Sequence, residues 1–189
     1  RLAEALSINS SLSTLLLGSN QVRDEGAGRL AEALAINSTL TTLCLSMNGV
    51  GDEGSGRLAE ALAFSSTLTA LYLFENQVGD EGAGRLAEAL ATNSSLSTLD
   101  LISNFMGAAG KRRLALALAT NSSLTQVYFD CDWNTRCLVD AHLDRNKGNL
   151  EKKSASLFFM LLPLLLQDED EISDEVTRSL DVSITVEDQ

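Results

Sequence analysis

Apolar and polar residues follow each other in a unit that returns every 28 residues along the chain. Each unit opens with a motif close to L-x-x-L-x-L-x-x-N-x-V, whose L-x-L segment places two leucines on one face of a short strand. The motif begins at Leu12, Leu40, Leu68 and Leu96, and in a decayed form at Leu124. Strands are therefore predicted near residues 13–17, 41–45, 69–73, 97–101 and 125–129.

The second half of each unit favours a helix. A typical copy reads GDEGAGRLAEALA, in which Ala, Leu and Glu have high helix propensity. Helices are predicted near residues 25–35, 53–63, 81–91 and 109–119. Acidic side chains at the start of three of these helices are predicted to be their N-caps, namely Asp24, Asp52 and Asp80.

One strand and one helix of this size cannot enclose a core, but stacked copies can. We therefore predict an α/β solenoid built from stacked strand–helix units. A recurring asparagine follows each strand, where its amide can satisfy backbone groups exposed by the bend. This predicted turn ladder consists of Asn20, Asn48, Asn76 and Asn104.

The motif and its spacing resemble the ribonuclease-inhibitor-like class of leucine-rich repeats, found in NOD-like receptors and in GTPase-activating proteins for Ran. The resemblance covers roughly residues 1–132, and the first repeat is truncated because residues 1–9 match residues 29–37. It implies a leucine-rich-repeat solenoid curved as a horseshoe, with a parallel β-sheet on the concave face, α-helices on the convex face and a protein-binding role. Ribonuclease inhibitor itself matches poorly, because this chain repeats a single unit and has only three cysteines.

Two further segments follow the repeats. Residues 133–167 are predicted to form a C-terminal helical cap that includes the apolar run Leu157–Leu166. This run is shorter than the roughly twenty residues that a membrane span needs, so we expect it to pack on the last repeat. A membrane-surface or partner-binding segment is the alternative. Residues 168–189 are predicted to be an acidic, disordered tail.

The charge and the cysteines limit the partners and the compartment. The chain has a net charge of -12, and residues 168–189 account for eight of these negative charges. Without a basic stripe, the repeats are not expected to bind nucleic acid, and we expect no membrane engagement. Three cysteines do not suggest a disulfide framework, which favours a reducing, cytoplasmic location.

The sequence offers little for catalysis. His142 is the single histidine, and its spacing to Cys131 and Cys137 is not that of a zinc module. No nucleophile-elbow or phosphate-loop motif is found. We therefore predict that the protein is not an enzyme, with no catalytic residue, metal, cofactor or small-molecule substrate. Four Asn-x-Ser/Thr triplets, at Asn9, Asn37, Asn93 and Asn121, favour turn chemistry over glycosylation.

The repeats differ from each other mainly at strand positions that point away from the leucines. Aromatic and acidic residues collect there, as in interface hot spots, with neutral drift as the alternative. The predicted partner-binding residues are Tyr72, Phe74, Glu75, Asp100, Ile102, Tyr128 and Asp130. We therefore predict a non-catalytic protein–protein interaction module, as the sensing or regulatory repeat region of a larger protein. The alternative is a regulator resembling the Ran GTPase-activating protein, with Arg23 in a loop where other repeats have glycine.

Overall fold

The computed structural model describes residues 1–131 and 133–148, which belong to one compact unit spanning Arg1–Glu151. The predictions for the apolar run Leu157–Leu166 and for the acidic tail at 168–189 lie outside the described residues. So does the part of the predicted cap beyond residue 148.

Helices and strands alternate along the described chain. The helices are α1 (Leu2–Ile8), α2 (Arg23–Leu34), α3 (Asp52–Phe64), α4 (Asp80–Thr92), α5 (Ala108–Thr120) and α6 (Trp133–Asn146). The strands are β1 (Thr14–Leu16), β2 (Thr42–Cys44), β3 (Ala70–Tyr72), β4 (Thr98–Asp100) and β5 (Gln126–Tyr128). All five strands form one parallel sheet in sequence order, which confirms the predicted α/β solenoid.

Equivalent residues of successive repeats lie beside each other in the sheet. The central position of each strand pairs Leu15 with Leu43, Leu43 with Leu71 and Leu71 with Leu99, each step being one repeat. Leu43, Leu71 and Leu99 are fully buried because they face the helices. The leucines on the inner faces of the helices complete this core: Leu30, Leu34, Leu58, Leu62, Leu86, Leu90, Leu114 and Leu118.

The predicted N-caps are wrong, and the reason is informative. Asp52 is the first residue of α3, whose N-cap is Gly51 with no side-chain cap bond. The Asp24 carboxylate instead crosses to the following repeat, where Oδ1 accepts hydrogen bonds from Gly51 N (2.7 Å) and Gly54 N (2.9 Å). The same bonds join Asp52 to α4 and Asp80 to α5. Each aspartate therefore caps the next helix rather than its own.

The asparagines that follow the strands form a hydrogen-bonded ladder between repeats. Asn76 Nδ2 donates to Leu45 O of the preceding repeat and to Leu73 O of its own, and its Oδ1 accepts from Asn48 N and Val50 N. Asn48 and Asn104 make equivalent inter-repeat bonds, while Asn20 Nδ2 donates within its own repeat. These amides therefore stabilise the turn after each strand and link neighbouring repeats by hydrogen bonds.

Helix α6 packs against α5 and β5 and continues the hydrogen bonding of the array. Arg145 Nη2 donates to Leu118 O (3.0 Å) and Asn121 O (2.6 Å), which end α5 and its turn. In the preceding repeats, the carbonyls at this position accept hydrogen bonds from an asparagine, as Leu90 O and Asn93 O do from Asn121. After the last repeat, the Arg145 guanidinium therefore takes this role together with the Asn146 amide, which donates to Asn121 O and Leu124 O.

Candidate functional site

The face of the sheet that is turned away from the helices, here called the sheet face, carries one residue from the end of each strand in a row. Parallel pairing places Cys44 beside Tyr72, Tyr72 beside Asp100, and Asp100 beside Tyr128. Neighbouring strands lie about 4.8 Å apart, so these side chains are within reach of one another. The structure thus brings Tyr72, Asp100 and Tyr128 together, with Asp100 between the two tyrosines.

The other predicted partner-binding residues follow the same strands. Phe74 and Ile102 lie two residues beyond Tyr72 and Asp100, and Asp130 lies two residues beyond Tyr128. The aromatic patch is less exposed than the sequence predicted: Tyr72, Phe74 and Ile102 are half-buried, and Tyr128 is 36% exposed. The physical reason is the close spacing of in-register strands, because each side chain covers part of its neighbour. Glu75 and Asp130 are exposed.

Electrostatics distinguish Asp100 from the other acids of the sheet face. Burial raises the pKa of its carboxyl above the ordinary value, the Ile102 N–H opposes this rise, and the nearby Asp130 charge adds to it. The bond from Ile102 N to Asp100 Oδ1 measures 3.1 Å, and Asp130 Oδ2 accepts from Ser103 N at 2.8 Å. Asp100 is therefore a partly desolvated carboxylate beside a second one, which a cationic group would stabilise.

Glu75 occupies a special backbone position. Its φ is 50°, in the left-handed region, and the equivalent residues of the other repeats share this conformation: Ser19, Met47 and Ser103. The turn before the ladder asparagine therefore imposes this conformation on whatever side chain stands there. Glu75 is placed by the turn at the edge of the sheet face.

The Asn-x-Ser/Thr triplets lie in the turns that join helices to strands. Asn37, Asn93 and Asn121 are buried, and each amide nitrogen donates to two carbonyls of the preceding repeat. Their Oδ1 atoms accept backbone N–H groups two and three residues on. The turn interpretation is confirmed for these three, because the nitrogen that would carry a glycan is enclosed. Asn9 is exposed.

Sequence reasoning missed the most exposed apolar residues of the helices. Ile8, Ile36 and Phe64 occupy one repeat position, at the ends of α1 and α3 and in the turn just after α2. Aligning the repeats by their 28-residue period would have found them as an apolar column in an otherwise polar helix surface.

The described residues offer no metal centre. No group of three or more His, Cys, Asp or Glu side chains is placed to hold a metal ion in this part of the chain. His142 is buried, and desolvation together with the Arg145 charge lowers its pKa to about 4. No helix within the same residues is long and apolar enough to cross a membrane.

Comparisons with known proteins agree with this architecture. Residues 9–31, 37–59 and 64–87 match the family described as Leucine Rich repeat. Leiomodin-1 Actin-Binding Site 2 superposes with a TM-score of 0.72 at 20% identity, covering 82% of this chain and 92% of that one. The Caenorhabditis elegans tropomodulin C-terminal domain gives 0.69 at 19% identity, covering 82% and 98%. No curated protein sequence is significantly similar.

These comparisons establish a leucine-rich-repeat α/β solenoid. At 19–20% identity, the two solved structures share the fold with this chain and nothing finer. The ribonuclease-inhibitor-like and NOD-like features of the predicted resemblance stay predictions.

Proposed function

We propose that the chain is a non-catalytic interaction module that binds a protein partner on its sheet face. The observation that carries this proposal is the in-register row of Tyr72, Asp100 and Tyr128 across three adjacent strands. A solenoid core does not require aromatic side chains on this face, where other repeats place Leu16 or Cys44. Their presence is better explained by recognition than by folding.

The chemistry of this row indicates what the partner presents. Tyrosines contribute large contact areas and retain a polar group that can form hydrogen bonds. Asp100 lies between them, and its pKa is raised mainly because the carboxyl is desolvated. A basic or hydrogen-bond-donating group of the partner would therefore stabilise its charged form. Asp130 and Glu75 border the aromatic residues, and binding is therefore expected to weaken as salt increases.

Actin is the first partner to test, because one structural neighbour is named for an actin-binding site. We further propose that the repeats serve as the regulatory region of a larger cytoplasmic protein. The GTPase-activating alternative has no such support. It rests on Arg23, an exposed residue with a φ of 52° at the start of α2, and neither of the two structural neighbours above is named as a GTPase regulator.

The test is direct binding to actin. The parent chain and a Tyr72→Ser, Phe74→Ser, Tyr128→Ser triple variant would be compared by co-sedimentation with actin filaments and by native gel shift with monomeric actin. Arg57→Ala, on the helix side, is the matched control. We expect the parent and the control to bind and the triple variant to fail, with an unchanged thermal midpoint.

If the parent does not bind actin, affinity capture from cell extract with the same three proteins identifies the partner by mass spectrometry. Partners lost only with the triple variant would support the sheet face. An identical set captured by all three proteins would show that this face is not the binding surface.

A further inference from the structure

Three large apolar side chains stand in line on the helix side of the solenoid. Ile8 is 86% exposed, Ile36 is 71% exposed and Phe64 is 82% exposed. They lie 28 residues apart and are called here the apolar row: Ile8 and Phe64 end α1 and α3, and Ile36 lies in the turn two residues after the end of α2. The row is confined to these repeats, because Thr92 and Thr120 take the same place in α4 and α5.

The fold does not need these side chains. They contribute little to the core, and the exposed threonines of α4 and α5 show that the position accepts a polar residue. A single exposed apolar residue needs no explanation, but apolar residues that line up on neighbouring elements mark an interaction site. The apolar row is also far more exposed than Tyr128 of the sheet face, at 36%.

Glutamates accompany the apolar row one helical turn earlier. Glu4, Glu32 and Glu60 each precede a member of the row by four residues and share its helix face. Glu32 and Glu60 are exposed and make no ion pair with any described residue, whereas Glu25 and Glu53 pair with the arginine four residues on. Two unpaired carboxylates therefore lie beside Ile36 and Phe64.

The grooves between the helices bring these groups together. Glu32, Glu60 and Phe64 line the groove between α2 and α3, which has a volume of about 260 Å³. Glu4, Glu32 and Ile36 line the groove between α1 and α2. Arg57 also lines the first groove, and Arg1 and Arg29 line the second; Arg29 and Arg57 are paired with Glu25 and Glu53. Each groove thus combines one large apolar side chain with carboxylates from both of its walls, and between α2 and α3 the carboxylates outnumber the arginine.

The spacing of the row fits one kind of ligand. Packed helices lie about 8–10 Å apart, so the apolar row repeats at roughly that distance. An α-helix rises about 10.5 Å over seven residues, so a helix crossing α1, α2 and α3 presents one residue per heptad to each member of the row. Basic residues on its flanks would meet the line of glutamates.

We propose that the apolar row and its glutamates are a second docking surface, for a basic amphipathic helix of a partner protein with an apolar residue in every heptad. This site is separate from the sheet face. A second copy of this chain is the poorer occupant, because its net charge of -12 would bring acidic surfaces together.

The probe is a synthetic, fluorescently labelled helix of about 21 residues, or three heptads, with leucine once per heptad and lysines flanking it. Its binding to the full chain would be measured by fluorescence anisotropy. We expect an Ile36→Ser, Phe64→Ser double variant to bind about tenfold more weakly, because two apolar contacts are lost. A Glu32→Gln, Glu60→Gln variant should bind less tightly and show a flatter salt dependence.

Matched controls separate this site from general charge attraction and from the sheet face. Thr92→Ile should extend the row and tighten binding of a peptide lengthened by one heptad. A scrambled peptide of the same composition should bind weakly, and equally to the parent and to the Ile36→Ser, Phe64→Ser variant. The Tyr72→Ser, Phe74→Ser, Tyr128→Ser variant should bind the probe as tightly as the parent does. Loss of binding at the sheet face and loss of binding at the apolar row are therefore distinguishable.

Two results would overturn the proposal. Equal affinity of the parent and the Ile36→Ser, Phe64→Ser variant would show that the row does not contact the helix. Self-association in sedimentation equilibrium that Phe64→Ser abolishes would instead assign the surface to a second copy of the chain.

Discussion

The helices of the interior repeats and the helix of the last repeat differ at positions that face the following repeat. The first turns of α2, α3 and α4 carry an aspartate that caps the next helix, whereas α5 has Ala108 at this repeat position. The interior helices bury a small residue at one repeat position, namely Ala27, Ser55 and Ala83. At the same position α5 has the half-buried Lys111.

A glycine column shows the same contrast. A Cβ on Gly28 would lie 2.6 Å from Arg57 Cδ, because the arginine of each following repeat lies over the glycine of the one before. In α5 that column holds Arg112. The glycine is therefore needed where a repeat follows, and the last repeat is free of this requirement. Larger, charged side chains in place of small ones on one helix face thus mark the repeat at which stacking ends.

The strongest test of this comparison concerns the core. Leu71 of an interior strand and Leu124 of the last repeat are both fully buried. We expect Leu71→Ala and Leu124→Ala each to lower the free energy of unfolding by about 2–5 kcal/mol, since both leave a cavity. Exposed Arg57→Ala should cost less than about 1 kcal/mol. Urea denaturation measures all three, and a much smaller loss for Leu124→Ala would mean that α6 covers the last repeat poorly.

Acid should weaken the end of the array more than its interior. The pKa of His142 in α6 is lowered to about 4 from the ordinary 6.5, so the unfolded chain binds this proton more readily than the folded one. Its contribution is complete above pH 6.5 and is lost as the pH falls toward 4, by at most about 3 kcal/mol.

The measurement is urea unfolding at pH 7.0 and 4.5, followed for the parent and for His142→Gln, which cannot titrate. The difference between the two proteins isolates the histidine from the carboxylates, which titrate in both. A loss of stability that is the same size in both proteins would contradict the assignment.

The smallest expected effect concerns the aspartate that crosses between repeats. Asp52→Ala removes the acceptor of Gly79 N and Gly82 N at the start of α4 and should cost about 1–2 kcal/mol. Asp52→Asn keeps an acceptor oxygen and should cost less. Ala108→Asp, in the last repeat, should change the free energy of unfolding by less than about 0.5 kcal/mol. Equal losses from Asp52→Ala and Asp52→Asn would show that the bonds matter less than the charge.

The periodicity of the sequence predicted much of the fold because few structures can satisfy it. Two leucines in each L-x-L segment and a helix of fixed length allow a core only between a sheet and a helix layer. The parallel register follows, since every repeat has the same length and equivalent leucines must meet. The ion pairs of the helices, such as Glu25 with Arg29, needed only a spacing of four residues.

The sequence by itself therefore determined the repeat, the parallel sheet and the buried leucines, because these depend on contacts within one repeat or on identical contacts between repeats. Only the tertiary structure decided with which repeat each polar side chain forms its hydrogen bonds. Asp24 reaches Gly51 and Gly54 because stacking brings a neighbouring helix end closer than its own unsatisfied N–H groups. Exposure was decided in the same way: lateral packing covers part of Tyr72 and Phe74 on the sheet, while Phe64 at the end of α3 is left 82% exposed.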